Sequence, residues 1–178
     1  MERRRMRFIA AQRVGRKVNV AIIAICALAA CTAANATTAT GTFTVQAAII
    51  AACNVSASTL NFGTYNPTSA TALTGSSTLS IYCTSGSPYT ASLNLGSGGG
   101  AFTGRTMLSG SDTLTFNLYR DSSYSQVWGD GTGSTFTVAG TGSGLLTANT
   151  VTVYGQIPIS QDKPVGTYTS TITVTVSY

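Results

Sequence analysis

The closing stretch Tyr168-Thr169-Ser170-Thr171-Ile172-Thr173-Val174-Thr175-Val176-Ser177-Tyr178 alternates between two kinds of side chain. Tyr168, Ile172, Val174, Val176 and Tyr178 share one parity, with Ser170 as the polar exception. Thr169, Thr171, Thr173, Thr175 and Ser177 take the other. Successive side chains of a strand point to opposite faces, so the stretch predicts a strand with one buried face and one wet face.

The same period of two recurs upstream, in Leu79-Ser80-Ile81-Tyr82-Cys83, in residues 89–95 and in Leu114-Thr115-Phe116-Asn117-Leu118. Val151, Val153, Ile157 and Ile159 form a further run, interrupted at Pro158, which suits an edge or a bulge. Clusters of Gly, Ser, Asn and Asp separate the runs, and residues 96–100, 130–133 and 140–144 read as hairpin loops. No segment after residue 36 carries a helical period. Seven or so short strands predict an all-β sandwich of immunoglobulin-like type. With no Trp between the cysteines and no tandem repeat, it is not an antibody-type domain.

Composition narrows the chemistry. The chain of 178 residues has a formal charge of +5, yet seven of its ten basic residues (Arg3, Arg4, Arg5, Arg7, Arg13, Arg16 and Lys17) precede position 18. From residue 37 onward Arg105, Arg120 and Lys163 face Asp112, Asp121, Asp130 and Asp162. The basic surface expected of a nucleic-acid partner is therefore missing. There is no His, and Glu2 is the sole Glu. General acid/base catalysis and transition-metal ligation draw mainly on those residues, so we expect no enzyme, no metal and no cofactor.

The N-terminus reads as an export signal. Basic residues to Lys17 precede the largely apolar residues 18–30, and Ala34-Asn35-Ala36 supplies the small-residue cleavage pattern, leaving Thr37 first. Residues 18–30 are too few for the roughly 20 that a ~30 Å hydrocarbon core requires. A second cleavage reading is Leu28-Ala29-Ala30-Cys31, which resembles a bacterial lipobox and would lipidate Cys31. On either reading Cys53 and Cys83 enter a compartment where disulfides persist, and they read as one bridge. A loop of that length is credited with roughly 3 to 4 kcal/mol by chain-entropy reasoning.

Other motifs carry little. The glycine-rich stretches lack the following helix that a phosphate-binding loop needs. Asp130-Gly131-Thr132-Gly133 lacks the second carboxylate of a calcium loop and reads as a turn. Tyr124 and Trp128 would suit a carbohydrate platform, against the plainer reading that they pack on their own sandwich.

Residues 40–52 are unusual. Phe43, Val45, Ala47 and Ile49 share one parity, but the polar face is lost at Ala48 and Ile50. Such a segment is either the first strand of the domain's own sandwich or a strand that pairs with an open edge of another subunit. Periodicity does not separate the two, because both bury the same face.

A family resemblance joins these pieces. Phe43-Thr44-Val45 before Cys53, Leu60-Asn61-Phe62-Gly63-Thr64-Tyr65, and Leu79-Ser80-Ile81-Tyr82-Cys83 resemble the spore coat protein U domain. Leu118-Tyr119-Arg120-Asp121, Val127-Trp128-Gly129-Asp130-Gly131, Tyr154-Gly155-Gln156-Ile157-Pro158 and Pro164-Val165-Gly166-Thr167-Tyr168 continue the likeness across residues 37–178. That domain is the fold of pilin subunits in archaic (Csu-type) chaperone–usher pili.

The resemblance implies an incomplete immunoglobulin-like sandwich whose groove is completed by a donor strand from another subunit. It implies a periplasmic chaperone, an outer-membrane usher and other pilin subunits as partners. The product would be a cell-surface fimbrium serving adhesion and biofilm formation. Residues 37–52 are then the candidate donor strand, with Phe43, Val45, Ala47 and Ile49 as donor residues. Ile172, Val174, Val176 and Tyr178 would line the chaperone-contacting terminal strand. The alternatives are a surface-anchored lipoprotein through Cys31 and a secreted ligand-binding β-sandwich.

Overall fold

A computed structural model describes residues 37–178. Residues 1–36, read above as an export signal and including Cys31 and Ala36, lie outside them. Thr37 and its successors to Val45 are exposed and form no helix or strand. Residues 46–178 form a compact unit, which holds every strand among the described residues.

Nine antiparallel strands lie among the described residues: β1 (Cys53–Ala57), β2 (Leu73–Cys83), β3 (Pro88–Leu93), β4 (Gly100–Ala101), β5 (Gly104–Ser109), β6 (Asp112–Tyr119), β7 (Val138–Thr141), β8 (Asn149–Ile157) and β9 (Val174–Ser177). Six of them form one sheet in the order β1-β2-β8-β6-β5-β4, and the other sheet is β7-β3-β9. Leu79, Ile81 and Cys83 of β2 face Tyr89, Ala91 and Leu93 of β3 across a core that also takes in Met107, Leu114, Phe116, Leu118, Val153 and Ile157. Their neighbours of opposite parity, such as Thr78, Thr90 and Thr152, are exposed. The alternation thus becomes a sandwich as period 2 requires.

The disulfide joins Cys53 to Cys83, thirty positions apart and opposite each other in the β1–β2 register. Beyond it the ladder runs one pair further: Thr84 N–H donates to Ala52 O at 2.9 Å. Ala52 N–H donates to Thr84 Oγ1 at 3.0 Å. The Thr84 carbonyl is occupied by Ser87 N–H in the turn to β3, and the hydroxyl replaces it.

Side chains complete the sheets elsewhere too. Gly75 and Gly155 are register partners on β2 and β8. A Cβ on Gly155 would lie 2.7 Å from Phe62 Cζ and 2.9 Å from Leu60 Cδ1. The two glycines therefore form a seat for Leu60 and Phe62, which arrive on a strandless segment, with Phe62 edge-on to Phe116 at 6.3 Å. At Pro158 the β6–β8 ladder stops, because proline has no N–H to donate. Gln161 then lends its carboxamide: Oε1 accepts from Thr115 N–H at 2.7 Å and Nε2 donates to Thr115 O at 2.8 Å.

Arg105 is fully buried on β5. Its guanidinium donates to Asn94 O at 2.9 Å, Asn117 Oδ1 at 2.7 Å and Trp128 O at 2.6 Å, and it lies 5.0 Å from the Phe102 ring centre. Burial pulls its pKa down to about 10, which leaves it charged at neutral pH. One side chain thus ties β5 and β6 to the end of β3 and to the Trp128 loop.

Three expectations change. Residues 40–52 form no strand; with apolar side chains on both parities from Ala48 on, no single face directs them onto a sheet. Gly140 and Thr141 lie in β7 and Gly100 in β4 rather than in loops; the Tyr89 ring opposite Gly140 fills the place of its missing side chain. The terminal strand is regular only over Val174–Ser177, while Thr169 makes an isolated bridge to Leu108.

Replacing Gln161 by Leu should cost about 1 to 3 kcal/mol, since Thr115 N–H loses its partner. Urea unfolding followed by the fluorescence of Trp128, the single tryptophan and fully buried, reads this directly. Cys53→Ser should lower the same midpoint by the equivalent of about 3 to 4 kcal/mol and reduce periplasmic yield. A midpoint unchanged in either variant would contradict the role assigned to that residue.

Candidate functional site

β9 closes one end of the three-stranded sheet and β1 closes the neighbouring end of the six-stranded one. The two approach each other, yet no ladder joins them. On its inner edge β9 pairs with β3 in the register Leu93↔Val174, Ser92↔Thr175, Ala91↔Val176 and Thr90↔Ser177. Asn94 N–H donates to Thr173 O at 3.1 Å, and Ser97 N–H to Thr171 O at 2.9 Å. Odd-numbered residues thus spend their backbone groups on the β3 side. The alternation of an antiparallel ladder turns the N–H and C=O of Val174 and Val176 to the opposite edge. No strand lies there among the described residues.

The side chains tell the same story. Inward residues of β3 are sealed, whereas Ile172, Val174 and Val176 are only half-buried, as are Cys53, Val55 and Leu60 on the β1 side. All six pack against the core. Between β1 and β9 runs an apolar stripe with its cover missing. At its lower end a Cβ on Gly96 would be 2.6 Å from Ser170 Oγ and 2.7 Å from Ile172 Cδ1, and Gly98 N–H donates to the Ser170 hydroxyl at 3.3 Å. This local contact accounts for the serine that interrupts the apolar parity.

Of the residues singled out in the sequence, Ile172, Val174 and Val176 share the stripe. Tyr178 does not, being 61% exposed at the chain end. Phe43, Val45, Ala47 and Ile49 are exposed, Phe43 by 87% and Ile49 by 88%. Sequence reading missed Thr84, Gln161 and Arg105, which appeared only as one of many threonines, a loop amide and a charge. No local pattern marks them, since each acts on backbone brought near by the fold.

Trp128 and Tyr124 offer no platform. The Trp128 indole N–H donates to Ala91 O at 3.1 Å inside the core. Tyr124 stands edge-on to Tyr119 and Tyr154 at 5.6 and 6.4 Å. Its loop is held by Asp121, which accepts from Ser123 Oγ, from Ser125 N–H at 3.1 Å and from Gln126 N–H at 2.7 Å. Those bonds, the Ser123 one foremost, hold the carboxyl well below the usual range. A depression of about 400 Å³ bordered by Asn94, Phe102, Asp130 and Thr175 has its polar groups committed. Asn94 Oδ1 already accepts from Gly96 and Thr173, and Asp130 from Thr132. Among the described residues no three His, Cys, Asp or Glu side chains are grouped to share a metal ion.

Known proteins with this pattern can now be named. The sequence profile of the Spore Coat Protein U domain matches residues 39–175. Protein U of Myxococcus xanthus is 32% identical over 176 residues, covering 89% of this chain and 95% of that protein. Among solved structures, the chain resembles one in the chaperone–tip adhesion subunit pre-assembly complex of CsuC and CsuE from archaic chaperone–usher Csu pili of Acinetobacter baumannii. There the TM-score is 0.52 at 24% identity, over 73% of this chain and 40% of that one. That likeness establishes the immunoglobulin-like fold. With profile, relative and fold in agreement over the whole sandwich, the chain belongs to the Spore Coat Protein U domain family.

Proposed function

We propose that this protein is a structural subunit of an archaic chaperone–usher pilus and polymerises by donor-strand complementation. The observation that carries this reading is the unpaired outer edge of β9 over half-buried Ile172, Val174 and Val176, in a chain whose segment before β1 exposes Ala47, Ile49 and Ile50. An open ladder edge and an apolar stripe are what an added strand needs: backbone bonds supply affinity, and alternate side chains entering the stripe set the register. Each large apolar side chain buried contributes on the order of 1.5 to 3 kcal/mol. Several inserted together with a ladder would make release slow.

On this reading residues 1–36 are removed on export, leaving Thr37 first. A periplasmic chaperone covers the stripe until, at an outer-membrane usher, residues 37–52 of the next subunit replace it. Phe43, Val45, Ala47 and Ile49 are the donor residues. Left uncovered, the β9 edge would template aggregation, which is the reason for the chaperone. The fibre would serve attachment and biofilm formation at the cell surface.

The chain expressed with chaperone and usher should give a ladder on unheated SDS gels that collapses on boiling, and deletion of residues 37–50 should abolish it. A monomer in every lane would overturn the reading. Ile49→Asp should leave chaperone binding intact and shorten the ladder, because a carboxylate would enter an apolar stripe. Fibres of normal length from this variant would exclude Ile49 from the inserted register.

A further inference from the structure

The exposed segment before β1 has two conceivable acceptors, the groove of another copy and the groove of its own domain. β1 begins, and β9 ends, at the same end of the sandwich as the β2–β3 turn, since Cys53 pairs with Cys83 and Ser177 with Thr90. To enter its own groove, the segment would have to reverse direction just before Cys53 and run between β1 and β9. Travelling toward Cys53, it would lie antiparallel to β1 and parallel to β9.

The position of that reversal decides whether it can form. Ala52 is held as a ladder residue by the Thr84 N–H and by the Thr84 hydroxyl, which accepts from Ala52 N–H at 3.0 Å and lies 3.3 Å from Ala52 O. Because the N–H and C=O of Ala52 both face Thr84, the residue that a returning strand could pair with is Ala51, and a tight turn has to use Ile49 and Ile50. Two-residue hairpin turns need positive φ at their central positions, which a β-branched residue resists strongly. Were Ala52 released, the turn would move to Ala51 and Ala52, and Ile49 and Ile50 would return to extended backbone. The stretch Gln46-Ala47-Ala48-Ile49-Ile50-Ala51-Ala52 contains no Gly, Asn, Asp or Pro to ease a reversal elsewhere.

We propose that Thr84 is a positioning residue that keeps the N-terminal segment out of its own groove, so that the acceptor is a second copy of this chain. The inference rests on the donor-strand reading above. It goes beyond it in assigning the choice between self-filling and polymerisation to one hydroxyl at the start of β1.

The test compares the full mature chain with Thr84→Val, Thr84→Ser, and Thr84→Val combined with Ala51→Asn and Ala52→Gly. Each is refolded with the disulfide intact, at low and high concentration, and run unheated on SDS gels. Self-filling gives a compact monomer band that shifts on boiling and whose yield is independent of concentration. Its share should rise on the order of five- to tenfold in Thr84→Val, the effect of losing one hydrogen bond, and further in the triple variant. Thr84→Ser should match the parent chain. An unchanged ratio of compact monomer to polymer in both Val variants would overturn the proposal. If Thr84→Val fails to fold, the Ala51→Asn, Ala52→Gly pair with Thr84 intact decides against the parent chain: a share of compact monomer close to the parent's supports the clamp, and a tenfold rise overturns it. Absence of any SDS-resistant species even in the parent chain would instead remove the donor-strand reading, and the proposal with it.

Discussion

A strand has two edges, and β9 uses one. Backbone N–H and C=O groups are obligatory hydrogen-bonding groups, so the edge left over by Val174 and Val176 defines what the molecule still needs. The half-buried residues Ile172, Val174 and Val176, with Cys53 and Val55 on the β1 side, border this unpaired edge. A further strand there would pair the free edge and seal the stripe together.

Around this edge the rest of the fold is well satisfied, often by side chains standing in for backbone. Gln161 supplies the donor and acceptor that β8 loses at Pro158, and the Thr84 hydroxyl replaces its own carbonyl once the turn to β3 has claimed it. No buried side-chain polar atom among the described residues lacks a hydrogen-bond partner. Of the outer edges that the two sheets leave open, those of β1 and β9 border the half-buried apolar stripe.

Arg105 shows how few charges the scaffold needs. Its three acceptors are neutral oxygens, and among the described residues no carboxylate forms an ion pair with it, so it acts as a rigid fork rather than as half of a salt bridge. A buried cation is costly unless its donors are met, and here each hydrogen bond reaches a different part of the sandwich. The sheets are thereby locked at the end where β3 passes into the glycine loop, beside the lower end of the stripe.

Period 2 in the sequence, with the cysteine count, was enough for β2, β3, β6, β8 and β9, for the inward residues Leu79, Ile81 and Val153, and for the Cys53–Cys83 bridge, but not for β1, β4, β5 or β7. Those features depend on local alternation and on counting cysteines. The loop reading failed at Gly140, where Tyr89 lies opposite, and alternation over residues 40–52 produced no strand, because a strand needs a partner that a local pattern does not contain. Which face of the last strand would stay uncovered, and why Ser170 interrupts it, were likewise settled by neighbours far away in sequence. The sequence by itself determined which residues of its regular alternating runs face inward, such as Leu79, Ile81 and Val153. Only the tertiary structure decided which strand lacks a partner, because edges are set by the order in which strands meet, and that order is a property of the whole chain.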